Sequence, residues 1–197
     1  MKLALIFVAI LMALIITSQL YFTMAKTESQ PYRVIDTEKD FEIRLYPPAT
    51  MASISMNAKT YKELSSAGFR KLASFIFGQN HGNKSIAMTT PVYMDINESQ
   101  SSMSFVMPTN YNEDNLPKPN DSSITIKTTP EEYVAAIRFS GYANDEEIKT
   151  YAAKLESALK AKGIEYYGNF RFLGYNSPFQ FWGRKNEIIV NVRWNQK

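Results

Sequence analysis

The sequence predicts an α+β fold in which duplicated β-α-β-β units form a distorted, mostly antiparallel β-barrel, flanked by two helices and preceded by an apolar N-terminal helix. Three observations carry this prediction. Short alternating segments are broken at prolines, two segments place apolar residues at helical spacing and end in glycine, and the second half of the chain repeats the plan of the first. Neither unit can cover its own sheet, so joining the two about a pseudo-twofold axis hides both.

From Leu3 to Ile16 the chain is unbroken apolar sequence, and a weakly polar stretch extends it to Ala25, about the length that crosses a bilayer. Lys2 and the terminal amine favour an N-terminus inside and the remaining chain outside. Residues 1–25 therefore read as a membrane anchor, or as a signal peptide cleaved after Thr23-Met24-Ala25. Tyr21 and Phe22 suit the outer interface belt and favour the anchor. Either reading puts the globular part outside the cytoplasm, membrane-anchored or secreted. A polar linker at 26–31 leads to the domain at 32–197.

Within the domain, residues 41–46 and 50–56 alternate on either side of Pro47-Pro48 and read as two strands with a bend. Residues 59–78 bring Leu64, Gly68, Leu72 and Phe75 to one face and read as a helix stopped by Gly78. The strand at 84–96 is bent at Thr89-Thr90-Pro91, because proline lacks the ladder donor. A strand at 103–108 and a Pro/Asn/Asp-rich exposed loop at 109–121 complete the first half. The second half has two strands broken at Pro130, a helix from Asn144 or Asp145 to Gly163, and strands at 166–175 and 186–194.

At an offset of 83 residues Ile43 meets Ile126, Pro47 meets Pro130, Ala52 meets Ala135 and Leu72 meets Leu155. Past the helices an offset of 87 lays "MTTPV" at 88–92 on "YNSPF" at 175–179. Matching prolines, strand positions and helix positions together argue for an internal duplication.

Composition excludes several function classes. A net charge of +3 with scattered basic residues gives no nucleic-acid footprint. The absence of cysteine removes disulfides and thiolate chemistry, and the single histidine, His81, removes any site that needs two. No phosphate loop or nucleophile elbow is present. An enzyme would have to use carboxylates such as Glu42, Glu132, Glu165 or Glu187, and charged residues on strands are ordinarily solvated; the reading is that the chain is not an enzyme.

The stretches "FEIRLYPPATMASI" (41–54), "NKSIAMTTPV" (83–92) and "LGYNSPFQFWGRKNEIIV" (173–190), in this order and separation, resemble the SOUL heme-binding-protein family over about residues 31–194. The resemblance implies a duplicated barrel that binds heme or another tetrapyrrole non-covalently, without catalysis, in an apolar groove between the first domain helix and the loop "GYNSPFQFWGRKNE". Helical geometry adds an independent observation: Ser66, Phe69, Ala73 and Phe77 form a second stripe, more apolar than a solvent face requires. Edge packing on the sheet would also explain it. On the loop, Tyr175, Phe179 and Phe181 offer aromatic walls, and Arg184 offers a cationic partner for a carboxylate or a structural hairpin charge. Iron ligation does not transfer: where some members carry a histidine after "E-I-R", this chain has Leu45. His81 lies in a polar loop, and Met88, Met94 and Tyr175 read as packing residues, so no metal ligand is assigned.

The resulting expectation is an exported or membrane-tethered binding protein whose partner is a tetrapyrrole, with the N-terminal helix in the membrane. Other amphipathic small molecules, or an envelope interaction without a small ligand, are the alternatives.

Overall fold

The computed structural model describes residues 2–24, 27–97 and 99–194. Helix α1 (Lys2–Met24) exposes large apolar side chains, among them Ile6, Phe7, Leu11, Leu14 and Ile16. The expected anchor or signal includes Met1 and Ala25, which lie outside the described residues. Over the residues so described, no helix is long and apolar enough to cross a membrane.

The domain follows as β1 (Glu28–Ser29), β2 (Arg33–Thr37), β3 (Glu42–Tyr46), β4 (Ala49–Met56), α2 (Tyr61–Ile76), β5 (Thr89–Thr90), β6 (Val92–Asp95) and β7 (Ser101–Val106). The second half supplies β8 (Ile124–Thr129), β9 (Glu132–Phe139), α3 (Asp145–Lys162), β10 (Tyr166–Gly174) and β11 (Asn186–Val192). Nine strands make one antiparallel sheet in the order β2-β3-β9-β11-β10-β6-β7-β4-β8.

This order has a symmetry. Exchanging β3 with β8, β4 with β9, β6 with β10 and β7 with β11 reverses the list of those eight strands and leaves it unchanged. Register obeys the same exchange. Ala49 pairs with Thr129 as Glu132 pairs with Tyr46, each residue shifted by 83, and the next four pairs of the two ladders follow. The β4–β7 and β9–β11 ladders correspond if β7 is shifted by 85, since Ala52 faces Phe105 as Ala135 faces Val190.

The offset of 87 between "MTTPV" and "YNSPF" is corrected by this topology. "MTTPV" precedes and enters β6, whereas "YNSPF" follows β10, the partner of β6. The cause is unequal connections: residues 96–100 join β6 to β7, but 175–185 join β10 to β11.

The expected closed barrel is also corrected. The sheet curls as a half-barrel with edges at β2 and β8. At β8 the N–H of Thr128 donates to Glu113 Oε1 at 2.6 Å, so a side chain from the preceding loop takes an edge donor. Strands β1 and β2 were not foreseen, and the strand expected at 84–96 is confined to β5 and β6; β2 is mostly exposed, so it carries little hydrophobic pattern. Within the predicted linker, β1 pairs in parallel with β5 and the Gln30 side chain is buried.

Both helices pack on one face, α2 against β4 and β7 and α3 against β9, β10 and β11. Leu64, Leu72, Phe75 and Ile76 of α2 and Leu155 and Leu159 of α3 are buried there with Ile43, Ile54, Met103, Phe172 and Ile188. Each such side chain contributes roughly 1.5–3 kcal/mol of burial. Gly68 permits the close approach of α2, because a Cβ there would lie 3.3 Å from Met103 Sδ. Helix α3 starts as the sequence indicates, and α2 starts two residues later than expected, at Tyr61. Thr60 Oγ1 accepts from Glu63 N–H, Glu63 answers by accepting from Lys59 N–H, and Asn144 Oδ1 accepts from Glu147 N–H. Gly163 ends α3 at φ +66°, and Gly78 follows the Phe77 cap of α2 at φ +111°.

Candidate functional site

The predicted stripe is only partly presented, with Ser66 and Phe69 on the outer side of α2, Ala73 packed inward and Phe77 at the cap. Ala73 turns inward at 9% exposure, Phe69 is 37% exposed with its ring 5.3 Å from that of Phe105, and Phe77 is 68% exposed at the helix end. Ser66 is exposed beside them.

The β10–β11 loop reaches the other end of that helix. Arg184 lies near enough to act electrostatically on Tyr61, the first residue of α2, and its guanidinium carbon sits 4.4 Å from the centre of the Tyr142 ring. The loop is tied by its own polar side chains. Asn176 Oδ1 accepts from Lys185 N–H at 2.6 Å, and Asn176 Nδ2 donates to Gln180 Oε1. Gln180 Nε2 donates to Trp182 O, and Arg184 Nη1 donates to Ser177 O and Gln180 O at 2.8 and 2.7 Å. With Gln180 buried, the alternating aromatics turn outward: Phe179 is 64%, Phe181 58% and Trp182 48% exposed. Arg184 spends one guanidinium nitrogen on holding the loop closed, which is the structural role weighed for it.

Tyr175 belongs to a different environment. Its hydroxyl donates to Glu187 Oε2 at 2.6 Å, and Lys185 Nζ lies 3.8 Å from its ring centre. Glu187 is fully buried and takes a bidentate pair from Arg44, Nη1 to Oε2 at 2.8 Å and Nη2 to Oε1 at 3.0 Å, with Lys185 Nζ 3.1 Å away. Tyr32 stacks 4.3 Å from the Arg44 guanidinium carbon. Burial pushes the Glu187 carboxyl up, but hydrogen bonds and charge from Arg44, then Tyr175 and Lys185, outweigh it and hold the group below its usual range. Burial raises the Tyr175 phenol strongly, and Tyr46 is pushed up to about 12 for the same reason.

This network lies on the sheet face away from the helices, alongside Met51, Tyr93, Val134, Leu173 and Ile189. Further along the same face Arg171 bonds Glu132 and Asn191. The carboxylates considered for catalysis are thus engaged: Glu42 and Glu187 by Arg44, Glu132 by Arg171, and exposed Glu165 opposite Arg193 at 3.6 Å. Glu187, held below its usual range by Arg44, is a poor proton donor at neutral pH.

The structure therefore brings Phe179, Phe181 and Arg184 together in one loop and Ser66, Phe69, Ala73 and Phe77 along one helix, while Tyr175 faces the ion-pair network. A recess of about 400 Å³ opens over Arg44, Arg138 and Lys185, and one of about 450 Å³ over Lys71 and Asp121. None of the predicted residues lines either recess. For a flat macrocycle the exposed Phe69, Phe77, Phe179, Phe181 and Trp182 are suited as contacts to its face, and buried Ala73 is not. The iron donors do not fit. Tyr175 is committed to Glu187, Met94 is buried in the core, Met88 packs against the core, and His81 is exposed in a turn.

Comparison with known proteins agrees with the motifs. The chain is 29% identical to heme-binding protein 1 of Xenopus laevis, covering 77% of this chain and 84% of that protein. It is 30% identical to heme-binding protein 2 of Homo sapiens, covering 75% and 76%. The fold is shared with the EcmrR C-terminal domain, at a TM-score of 0.58 and 10% identity over 83% of this chain and 99% of that one. The Xenopus laevis and Homo sapiens relatives are named as binding proteins rather than enzymes. The family model for SOUL heme-binding protein matches residues 27–191, and the chain belongs to that family.

Proposed function

We propose that this protein is a non-catalytic binder of heme or a related tetrapyrrole, taken up against α2 and the β10–β11 loop. One observation carries the reading: in a domain whose core is otherwise well buried, Phe69, Phe77, Phe179, Phe181 and Trp182 stay exposed on those two elements. Exposed aromatic side chains on the helix and on the loop are the surface offered to a guest. The macrocycle would be held by face contact with the aromatic residues, with Arg184 in the loop as the cation for a carboxylate. When bound, heme would supply a chromophore and an iron centre; the chain supplies the surface that keeps both from water.

Residues 3–16, apolar without interruption behind Lys2, support a membrane tether with the domain outside. The shared register at offset 83 likewise supports descent of the two halves from one unit.

A hemin titration of the full chain, followed at the Soret band, tests the ligand. Saturable binding that weakens at least tenfold on replacing Phe179 and Phe181 with alanine is the expected result. A shift that does not saturate, or that ignores both substitutions, refutes the proposal.

A further inference from the structure

A cavity of about 210 Å³ lies at one end of the sheet, apart from α2 and the β10–β11 loop. Four prolines, Pro31, Pro47, Pro48 and Pro108, rim it with backbone that offers no N–H, and the buried Val106 and Met107 form part of its wall. Five of the polar side chains around it are already partnered within the protein. Thr89 Oγ1 donates to Val106 O, Thr50 and Thr128 share a hydroxyl contact at 3.4 Å, Glu28 Oε1 accepts from Thr109 N–H, and Gln30 Oε1 accepts from Tyr93 Oη. What these groups leave for a guest is chiefly apolar surface.

Size narrows the guest. A tetrapyrrole needs a pocket in the range of about 300–1,000 Å³. An apolar cavity of about 150 Å³ takes benzene, which scales to about eight aliphatic carbons in the present volume. Position points the same way. Glu28 lines the cavity and lies four residues past Met24, the last residue of α1, so it is within about 14 Å of that apolar helix. Pairing of β1 with β5, reinforced by Gln30 N–H to Thr90 O at 2.8 Å, fixes Glu28 there.

We propose that this cavity binds the alkyl end of an amphiphile, a segment of about eight carbons from a fatty acyl chain. The site goes beyond the tetrapyrrole reading and takes from the tether reading only the direction of arrival. The chain end can come from a bilayer phospholipid or from a free fatty acid.

The full chain in phosphatidylcholine vesicles would be irradiated with either of two probes, a phosphatidylcholine or a free fatty acid, each carrying a terminal diazirine. Mass spectrometry should place label within residues 106–112 or 47–50. Label from the phospholipid assigns the bilayer as source, and label from the acid alone assigns free fatty acid. Ala49→Phe, which fills the cavity, should lower labelling at least fivefold; Thr128→Leu, at an exposed strand position, serves the same purpose if the first variant misfolds. Hemin titration should be unaffected by either substitution, so a failure to bind hemin leaves this site standing. No label in those segments, or a decrease smaller than fivefold in folded variants, overturns the proposal.

Discussion

The two helices occupy equivalent places on a symmetric sheet, yet their outer stripes differ. At the offset of 83, Ser66, Phe69, Ala73 and Phe77 of the first helix correspond to Lys149, Ala152, Glu156 and Lys160 of the second. In α3 the stripe is a solvated surface in which Lys160 pairs with Glu156 at 2.7 Å and Tyr166 donates to the same carboxylate. A helix in this position therefore needs no aromatic residues there to pack on the sheet. What α2 carries beyond that requirement is available for binding.

The sheet shows the same asymmetry on its other face. Arg44 and Glu187, joined across the fold, stand at positions whose counterparts are exposed Lys127 and half-buried Ser102. Removing Glu187 would leave Arg44 charged and buried, so Glu187→Ala should cost about 3–5 kcal/mol in urea unfolding. Ser102→Ala, its partner under the exchange, should change stability by less than about 0.5 kcal/mol; equal effects would break the comparison. The same pair sets an acid limit. Because the Glu187 carboxyl titrates below an unfolded value near 4.3, its stabilisation is complete above that value and is lost as pH falls through the lower folded one. Unfolding midpoints between pH 6 and 2 should show this loss in the native chain and not in Glu187→Gln.

Phe77→Lys copies the α3 residue onto α2. Hemin affinity should fall about tenfold, or about 1.4 kcal/mol, with stability nearly unchanged because the ring is exposed. Glu156→Ala on α3 should leave hemin binding as it was. The N-caps sharpen the point, since Thr60→Ala and Asn144→Ala should each cost about 1 kcal/mol, and similar values would show that the helices differ in surface and not in their ends. The smallest effect is optical: bound hemin should quench Trp182, and Trp182→Phe should remove most of the quenching while Trp194 remains.

Much of this fold was legible because its signals are local. Gly78, Asn144 and Gly163 mark helix ends by chemistry within one turn, and Pro47 and Pro130 mark equivalent bends. The offset of 83 was readable for as long as connection lengths match in the two halves. It failed where residues 175–185 form a longer connection than 96–100, since loop length carries no periodic signal. The site was legible as composition and not as geometry. Phe69 and Phe77 follow from helical spacing, but the Arg44–Glu187 pair joins residues 143 apart in sequence. That Tyr175 would turn to this pair, away from Phe179, depends on the pairing of β3, β9 and β11, which one sequence does not display.

Asn176, Gln180 and Arg184 brace the β10–β11 loop before any guest arrives. The ordering entropy of that segment is surrendered when the chain folds, so capture need not repeat the loss. Arrival of a rigid, flat guest would then meet a ready-made platform, and its residence time would report the contact alone.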